Sequence, residues 1–178
     1  IFNITDAKNI QISGGTFIAE DDMIVVVQCI DYVKNITVKK IKCIGCRIFA
    51  SKATQRYSDI IIEKISQDIN VSSCSANAKQ IKTNHACIEL SYINGGRCSN
   101  NIISAFYHGI MFWGGDSDPV KDGEPNNERK CTALVINNNI IRDVRLGGIW
   151  GSMGDRVSIA ANYVENGGDV GIDFEGCN

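Results

Sequence analysis

The feature that most constrains this chain is a short apolar pattern that returns at nearly constant intervals. Two apolar residues flank one variable residue, and a further apolar or small residue follows five positions later. Successive occurrences are 26 residues apart (10 to 36), 24 apart (36 to 60) and 23 apart (134 to 157). The pattern occurs at Ile10-Gln11-Ile12 with Phe17, Ile36-Thr37-Val38 with Cys43, Leu134-Val135-Ile136 with Ile141, and Val157-Ser158-Ile159 with Val164.

A pattern with a fixed period is the sequence signature of stacked structural repeats. The alternation of apolar and polar residues within each repeat is typical of short strands with one buried side, separated by tight corners. We therefore predict an all-β fold, a right-handed parallel β-helix with rungs of about 22–26 residues. The repeats extend over most of the chain, so residues 1–178 are predicted to form a single β-helix domain.

Charge and hydropathy argue against two classes of partner. The formal net charge is −2 and the isoelectric point is near 5.7, whereas nucleic-acid-binding domains usually carry a basic patch. No apolar stretch approaches the roughly 18 residues that a membrane-spanning helix requires. We therefore expect neither nucleic-acid binding nor membrane insertion.

The two ends of the sequence lack the features of solenoid caps. The chain begins with Ile1 and stops at Gly176-Cys177-Asn178, within a repeat. A solenoid requires terminal repeats with a polar outer face, and neither end shows one. We therefore expect the chain to be a fragment of a longer protein.

The eight cysteines are predicted to be free thiols. Cys43 and Cys98 occupy repeat positions that apolar residues fill in other rungs, which is the behaviour of cysteine as a small buried hydrophobe. Cys43 and Cys46 have C-x-x-C spacing, but no second pair or helix start accompanies them. We expect no disulfide, no metal and no other cofactor, and synthesis in a reducing cytoplasm.

The last three rungs share residues that suit corners. Asn101, Asn139 and Asn162 each precede an apolar residue by two positions, and a Gly-Ile pair follows later in each rung. Asparagine tolerates the left-handed backbone region and is predicted at tight corners, where stacked side chains form an internal amide ladder. The glycine is predicted to supply the special dihedrals of the next corner.

Two rungs are predicted to carry longer loop insertions. One lies between Gln67 and Ile88 and is rich in Ser, Asn, Lys and Thr. The other lies between Trp113 and Cys131 and holds both prolines of the chain. Insertions in a solenoid map to loops, often on the binding face.

One outer face is predicted to carry the functional side chains. When an isoleucine of each rung points inward, the two-residue period of the strand directs the next residue outward. Trp113 and Trp150, the two tryptophans of the chain, then share a face with Asp173 and Glu175. The inward residues are Ile88, Ile110, Ile149 and Ile172; the first outward residues are Glu89, Met111, Trp150 and Asp173; the second are Ser91, Trp113, Ser152 and Glu175.

These outward residues are of the types that bind and cleave carbohydrate. A tryptophan offers a large rigid surface for the apolar face of a sugar ring. Asp173 and Glu175 are two residues apart on one strand, hence about 7 Å apart at the backbone. Glycoside hydrolysis requires paired carboxylates at comparable separations, one of them as the acid. The alternative is that the carboxylates are only solvated and the tryptophans are covered by the insertion loops or by another subunit.

Further candidates lie close to this column. Asp155 follows Trp150 by five residues, and Asp116 lies in the second insertion beside Trp113. We expect Asp155 to take part in catalysis and expect Asp116, Glu89 and His108 to contact substrate with the two tryptophans. The competing interpretation is that a loop aspartate serves turn geometry and that a lone histidine is structural.

The segments GIWGSMGD (148–155) and GDVGIDFEG (168–176), with Asn162 between them, resemble the pectate-lyase-like β-helix superfamily. More narrowly, they are similar to bacteriophage tailspike proteins that degrade bacterial capsule or O-antigen. This resemblance implies a homotrimer in the virion tail, made in the bacterial cytoplasm without disulfides. It also implies hydrolysis of a repeating surface polysaccharide by acidic residues, which match Asp155, Asp173 and Glu175. Pectate lyases proper are a poorer match, because they use calcium-bound carboxylates with a basic proton abstractor, and the outward column has no such Arg or Lys.

The residues and the resemblance together predict a metal-free, endo-acting glycoside hydrolase, a depolymerase that cleaves a bacterial capsular or O-antigen polysaccharide as part of a phage tailspike. Glu175 is the predicted acid and Asp173 its partner. Two alternatives remain open. One is a non-catalytic β-helix shaft or carbohydrate-binding segment, and the other is a polysaccharide lyase.

Overall fold

The computed structural model describes residues 1–52, 66–115 and 130–177, and the regular elements in these ranges are all β-strands. Every strand pair is parallel. In chain order the strands are β1 Phe2–Ser13, β2 Thr16–Ile18, β3 Val25–Lys39, β4 Lys42–Ile44, β5 Arg47–Lys52, β6 Ser66–Ser72, β7 Ser75–Asn77, β8 Ala86–Ser91, β9 Ile93–Ser99, β10 Ile102–Ser104, β11 His108–Trp113, β12 Cys131–Asn137, β13 Ile140–Arg142, β14 Ile149–Ser152, β15 Gly154–Asp155, β16 Ser158–Ala160, β17 Tyr163–Glu165 and β18 Ile172–Glu175.

The strands stack into three faces that follow one another along the chain. The first face contains the first halves of β1 and β3, then β5, β8, β11, β14 and β18. The second face contains the second halves of β1 and β3, then β6, β9, β12 and the pair β15 and β16. The third face contains β2, β4, β7, β10, β13 and β17. Because each turn of chain visits the three faces in order, the predicted all-β parallel β-helix is confirmed.

Single residues with positive φ make the corners between faces. Asp31 (φ 60) lies where β3 passes from the first face to the second, and Lys40 (φ 55) lies between the second and third faces. Tyr92 (φ 55) takes the first of these corners in a later rung. One left-handed residue bends the chain sharply from one face to the next, so successive faces need very little connecting chain.

The conformation predicted for the corner asparagines is wrong by one position. The left-handed residues are Asn100, Asn138 and Ala161. Each of them directly precedes one of the repeated asparagines. The left-handed turn points the following side chain into the interior, and this inward direction, rather than φ, is what selects asparagine at the repeated position.

The predicted amide ladder is confirmed. The side-chain Nδ2 of Asn101 donates to Oδ1 of Asn139 at 3.0 Å, and Nδ2 of Asn139 donates to Oδ1 of Asn162 at 2.9 Å. Each amide also binds backbone of a neighbouring rung, as in the bonds from Asn101 Nδ2 to Val71 O and from Cys74 N to Asn101 Oδ1. Asn101 and Asn139 are fully buried, so these bonds satisfy polar groups that water cannot reach.

Glycine is required in the Gly-Ile pairs for a different reason from the one predicted. Gly109 and Gly148 do not have positive φ. A Cβ atom on Gly148 would lie 2.5 Å from Val164 Cγ1 and 2.7 Å from the Gly171 carbonyl oxygen. A Cβ atom on Gly109 would lie 2.6 Å from the Gly148 carbonyl oxygen. Close approach of stacked backbones therefore selects glycine here, not corner dihedrals.

The predicted inward column of isoleucines is confirmed for three of its four members, and the fourth, Ile172, is 47% exposed. Ile88, Ile110, Ile149 and Ile172 are in register on the first face, and the first three are completely buried. Full burial of such a side chain contributes about 1.5–3 kcal/mol. Equivalent inward columns on the other two faces complete one continuous core along the axis.

The rung boundary in the middle of the chain differs from the prediction. Ile36 pairs with Ile69, so the predicted step to Ile60 is wrong, and residues 60–62 lie outside the described residues. Gln67, the predicted start of the first insertion, lies inside β6, whose strand pairs run to Ser72. The apolar runs at residues 60–62 and 69–71 both fit a repeat that follows Ile36. Only the hydrogen-bond register shows that the second run is the one that pairs with it. β11 ends at Trp113 and β12 begins at Cys131, and residues 116–129 of the predicted second insertion lie outside the described residues.

All eight cysteines are free thiols, and seven of them are buried. Burial raises the pKa of Cys29 to about 12 and that of Cys131 to about 12. In the C-x-x-C pair, a hydrogen bond from the Cys43 thiol lowers the pKa of Cys46 to about 7. The absence of disulfides agrees with the prediction that cysteine serves here as a core residue.

Candidate functional site

The outer side of the first face has the register that the sequence predicts. Glu89, Met111, Trp150 and Asp173 lie side by side on successive strands, as do Ser91, Trp113, Ser152 and Glu175. Neighbouring strands are about 4.8 Å apart. The two tryptophans and the two carboxylates of β18 therefore occupy three adjacent strands.

The two tryptophans form one aromatic block. The rings of Trp113 and Trp150 stack with centroids 5.6 Å apart and an interplanar angle of 19°. The indole Nε1 of Trp113 donates to the hydroxyl of Tyr92 at 2.9 Å. Each ring covers one face of the other, so the block offers its outer faces and edges. The hydrogen bond and the stacking hold it in one orientation, which suits recognition of a rigid, ring-shaped ligand.

His108 supports this block from its inner end. Its ring lies 6.0 Å from that of Trp150 and 5.0 Å from that of Tyr107. Nδ1 accepts a hydrogen bond from the Gly147 backbone amide at 3.3 Å. Burial lowers the pKa of His108, so the imidazole is neutral at pH 7. The histidine predicted to contact substrate is thus mostly enclosed, and it links the aromatic block to Tyr107.

Asp173 and Glu175 extend the face beyond Trp150. Asp173 is half-buried and Glu175 is exposed. Among the described residues, neither carboxylate takes part in an ion pair or a side-chain hydrogen bond. Both groups are therefore available to a ligand that lies across the aromatic block.

Asp155, another of the predicted acidic residues, lies apart from this pair. Asp155 belongs to β15 on the second face, in register with Thr132, and its carboxylate pairs with Arg156 Nε at 3.0 Å. A corner at Met153 (φ 53) separates it from β14. Asp116 lies outside the described residues. The expectation that Asp155 shares the first face with Trp150 is therefore wrong, and the predicted catalytic role is left to the two carboxylates of β18.

Glu89 has the predicted register but is not at the surface. It is 8% exposed and forms a 2.6 Å ion pair with Arg47, which is 2% exposed. Nε of the same guanidinium donates to the Ala86 carbonyl at 2.7 Å. His85 Nδ1 also lies 3.4 Å from Glu89 Oε2. A buried ion pair persists when both partners have further hydrogen bonds, so Glu89 serves as an internal counter-charge.

A cleft of about 460 Å³ opens beside this cluster, at the corner between the third and first faces. It was not predicted, because its walls come from four different rungs. Its lining includes Lys82, Thr83, Asn84, His85, Tyr107 and Arg145. Tyr107 and Arg145 lie in equivalent segments, just ahead of β11 and β14. This equivalence is the sequence signal that could have placed these two residues together.

Asp22 holds one wall of this cleft in place. It is 1% exposed, and its carboxylate accepts hydrogen bonds from the backbone amides of Lys82 and Thr83 and from the Thr83 hydroxyl. A carboxylate that accepts several such bonds orders the backbone that donates them. The segment after β7 is therefore fastened to the corner before β3.

Comparison with protein-family models, with curated proteins and with solved structures gave no match for this chain. The described residues contain no group of three or more His, Cys, Asp or Glu side chains arranged to hold a metal ion. Within the same ranges, no helix has the length and apolar character needed to cross a membrane.

Proposed function

We propose that this protein binds a bacterial capsular or O-antigen polysaccharide along its first face and cleaves it as an endo-acting glycoside hydrolase, as part of a phage tailspike. One observation carries the proposal. A rigid tryptophan block and two carboxylates that form no ion pair with any described residue occupy adjacent strands on the outer side of one face. The fold supports it, because an elongated face with a regular strand spacing suits an elongated, repeating ligand.

The chemistry of the proposed reaction uses both carboxylates of β18. Glu175 donates a proton to the glycosidic oxygen as the bond to the anomeric carbon breaks. Asp173 either deprotonates the water that attacks this carbon, or attacks the carbon itself to form a glycosyl-enzyme that water then hydrolyses. Trp113 and Trp150 hold adjacent sugar rings and so position the scissile bond. The homotrimer and the location in a virion tail remain proposals that follow from the resemblance alone.

The test is incubation of the protein with a panel of bacterial surface polysaccharides, with reducing ends and near-ultraviolet absorbance followed together. New reducing ends without absorbance identify hydrolysis, whereas an unsaturated, absorbing product identifies a lyase. Asp173→Asn and Glu175→Gln should each lower turnover by orders of magnitude while binding remains, because these groups act in the transition state. The matched control is Glu165→Gln, a carboxylate on the third face that pairs with Arg142. Full activity in both β18 variants would contradict the assignment.

The second candidate function is binding without cleavage. The observation that favours it is the fixed aromatic block, since the Trp113–Tyr92 bond and the stacked rings do not involve either carboxylate. In this case Trp150→Ala should abolish binding of a panel polysaccharide, while Asp173→Asn and Glu175→Gln have no effect and no product appears.

A further inference from the structure

We propose that the cleft at the corner between the third and first faces binds an anionic group, and that its ligand is the carboxylate of an acidic sugar. This inference deepens the proposed function, on which it rests for the identity of the ligand. It adds to that function a class of substrate, a polysaccharide with acidic units. The anionic chemistry itself follows from the cleft.

The charged side chains on the cleft wall are all cationic or can become so. They are Lys82, His85 and Arg145, and none of the described lining residues carries a carboxylate. Two of the nearby carboxylates are buried behind this wall, and a third, Asp21, is partly exposed beside Lys82. Asp22 is buried against the backbone of the Lys82 segment, and Glu89 is buried against Arg47. A ligand in the cleft therefore meets the positive ends of these pairs.

Arg145 is the strongest single donor in the cleft. Its guanidinium lies 5.7 Å from the centre of the Tyr107 ring, in cation–π geometry. Among the described residues it is in no ion pair with a carboxylate. Arginine presents a planar fork of N–H groups that matches a carboxylate in a bidentate way. Tyr107 orients this fork without consuming its hydrogen bonds.

Lys82 and His85 supply a second side of the same anion site. The Lys82 ammonium lies 3.5 Å from Asp21 in a partly exposed pair, and such pairs contribute little and separate easily. His85 is 43% exposed at its side chain, although its Nδ1 lies near Glu89. Lys82 can therefore turn toward an incoming anion at small cost, and the exposed part of the His85 ring lines the same side of the cleft.

A relay of ring contacts links the cleft to the aromatic block of the first face. Tyr107 contacts His108, and His108 contacts Trp150. A volume of about 460 Å³ is within the range of pockets that hold a small molecule. On this proposal, the sugar unit in the cleft and the sugar units on Trp150 and Trp113 belong to one polysaccharide chain.

The experiment is ligand-observed saturation-transfer NMR of the protein with sodium glucuronate, at constant ionic strength. Methyl glucoside is the neutral counterpart, and methyl phosphate, whose methyl protons report binding, is the anion without a sugar. We expect saturable binding of glucuronate and none of methyl glucoside. Arg145→Gln should weaken glucuronate binding about tenfold, since it removes a charge-assisted hydrogen bond.

The matched control is Arg142→Gln. Arg142 lies on the third face, 5.6 Å from the centre of the Tyr163 ring, so it has the same cation–π arrangement away from the cleft. This variant should bind glucuronate like the unmodified protein. Absence of saturable glucuronate binding, an equal signal with methyl glucoside, or an equal loss in both variants would overturn the proposal. Binding of methyl phosphate without glucuronate would overturn the acidic sugar as ligand.

This experiment separates the inference from the proposed function. Glucuronate binding by a protein that cleaves no panel polysaccharide supports the anion site and counts against the hydrolase. Cleavage of a neutral polysaccharide without glucuronate binding supports the hydrolase and overturns the anion site.

Discussion

Single polar side chains in the interior of this β-helix point inward and form hydrogen bonds to the neighbouring rungs. Asn139 is the clearest case. Its amide accepts from Asn101, donates to Asn162 and donates to the Cys98 carbonyl at 3.0 Å. Each rung therefore relies on the next for its polar groups, and one substitution leaves several buried groups without partners.

Asn139→Ala is expected to lower the free energy of unfolding by at least about 2 kcal/mol, because each buried polar group left without a partner costs about 1–3 kcal/mol. Urea unfolding followed by circular dichroism measures this change. Asn77→Ala is the control, because the Asn77 amide makes an exposed bond to Ser104 at 2.7 Å. Its loss should change stability by about 0.5 kcal/mol or less. Equal effects of the two variants would contradict the importance of the ladder.

The packing of each strand depends on how closely the neighbouring strands approach it. Glycine occurs where an added Cβ atom would meet the backbone of the next rung, as at Gly148 beside the Gly171 carbonyl. Gly151 shows a related effect within β14, because an added Cβ atom would lie 1.9 Å from the Phe112 ring. Because Gly151 has no side chain, the Phe112 ring occupies the space above it and lies near the Phe174 ring, with ring centroids 5.8 Å apart. The packing at β14 thus depends on side chains of β11 and β18, the strands on either side of it.

Gly148→Ala is expected to destabilise the protein by about 1–3 kcal/mol, the usual cost of forcing extra atoms into a packed interior. The added methyl group would contact Val164 and the Gly171 backbone. Gly171→Ala is the matched control from the next Gly-Ile pair, where an added Cβ atom has no neighbour within 4 Å. Thermal unfolding of both variants tests the difference. A destabilised Gly171→Ala with an unaffected Gly148→Ala would contradict the close-approach explanation.

The whole molecule is stabilised by one continuous core rather than by covalent cross-links. Inward columns from three faces meet along the axis, and cysteine is one of the residues that fill them. Small disulfide-rich domains need cross-links because they bury little apolar surface. A stack of rungs buries a new layer with each turn, and the free thiols of this chain agree with that source of stability.

The thiols provide a test at this scale. We expect the native chain to react with Ellman's reagent at one exposed cysteine, Cys177, and at all eight after denaturation without reductant. Burial is the physical reason, since it keeps the reagent out and raises the pKa of thiols such as Cys29. Cys177→Ser should remove the fast reaction. Several fast thiols, or fewer than eight in denaturant, would contradict a disulfide-free packed core.

The sequence by itself determined the local order of this protein. The strand period of two decides which side of the sheet each residue faces, whatever its neighbours are. For that reason the isoleucine column, the outward positions of Trp113 and Trp150 and the asparagine ladder could all be predicted from spacing alone.

Only the tertiary structure decided which of these outward residues are accessible and what they contact. The burial of Glu89 depends on Arg47, which lies one rung away across a segment of irregular length. The cleft with Arg145 combines corners of several rungs, and the stacking of the tryptophans depends on side-chain packing between strands. Such contacts join residues far apart in the chain, and insertions of unequal length remove the regular spacing that would reveal them.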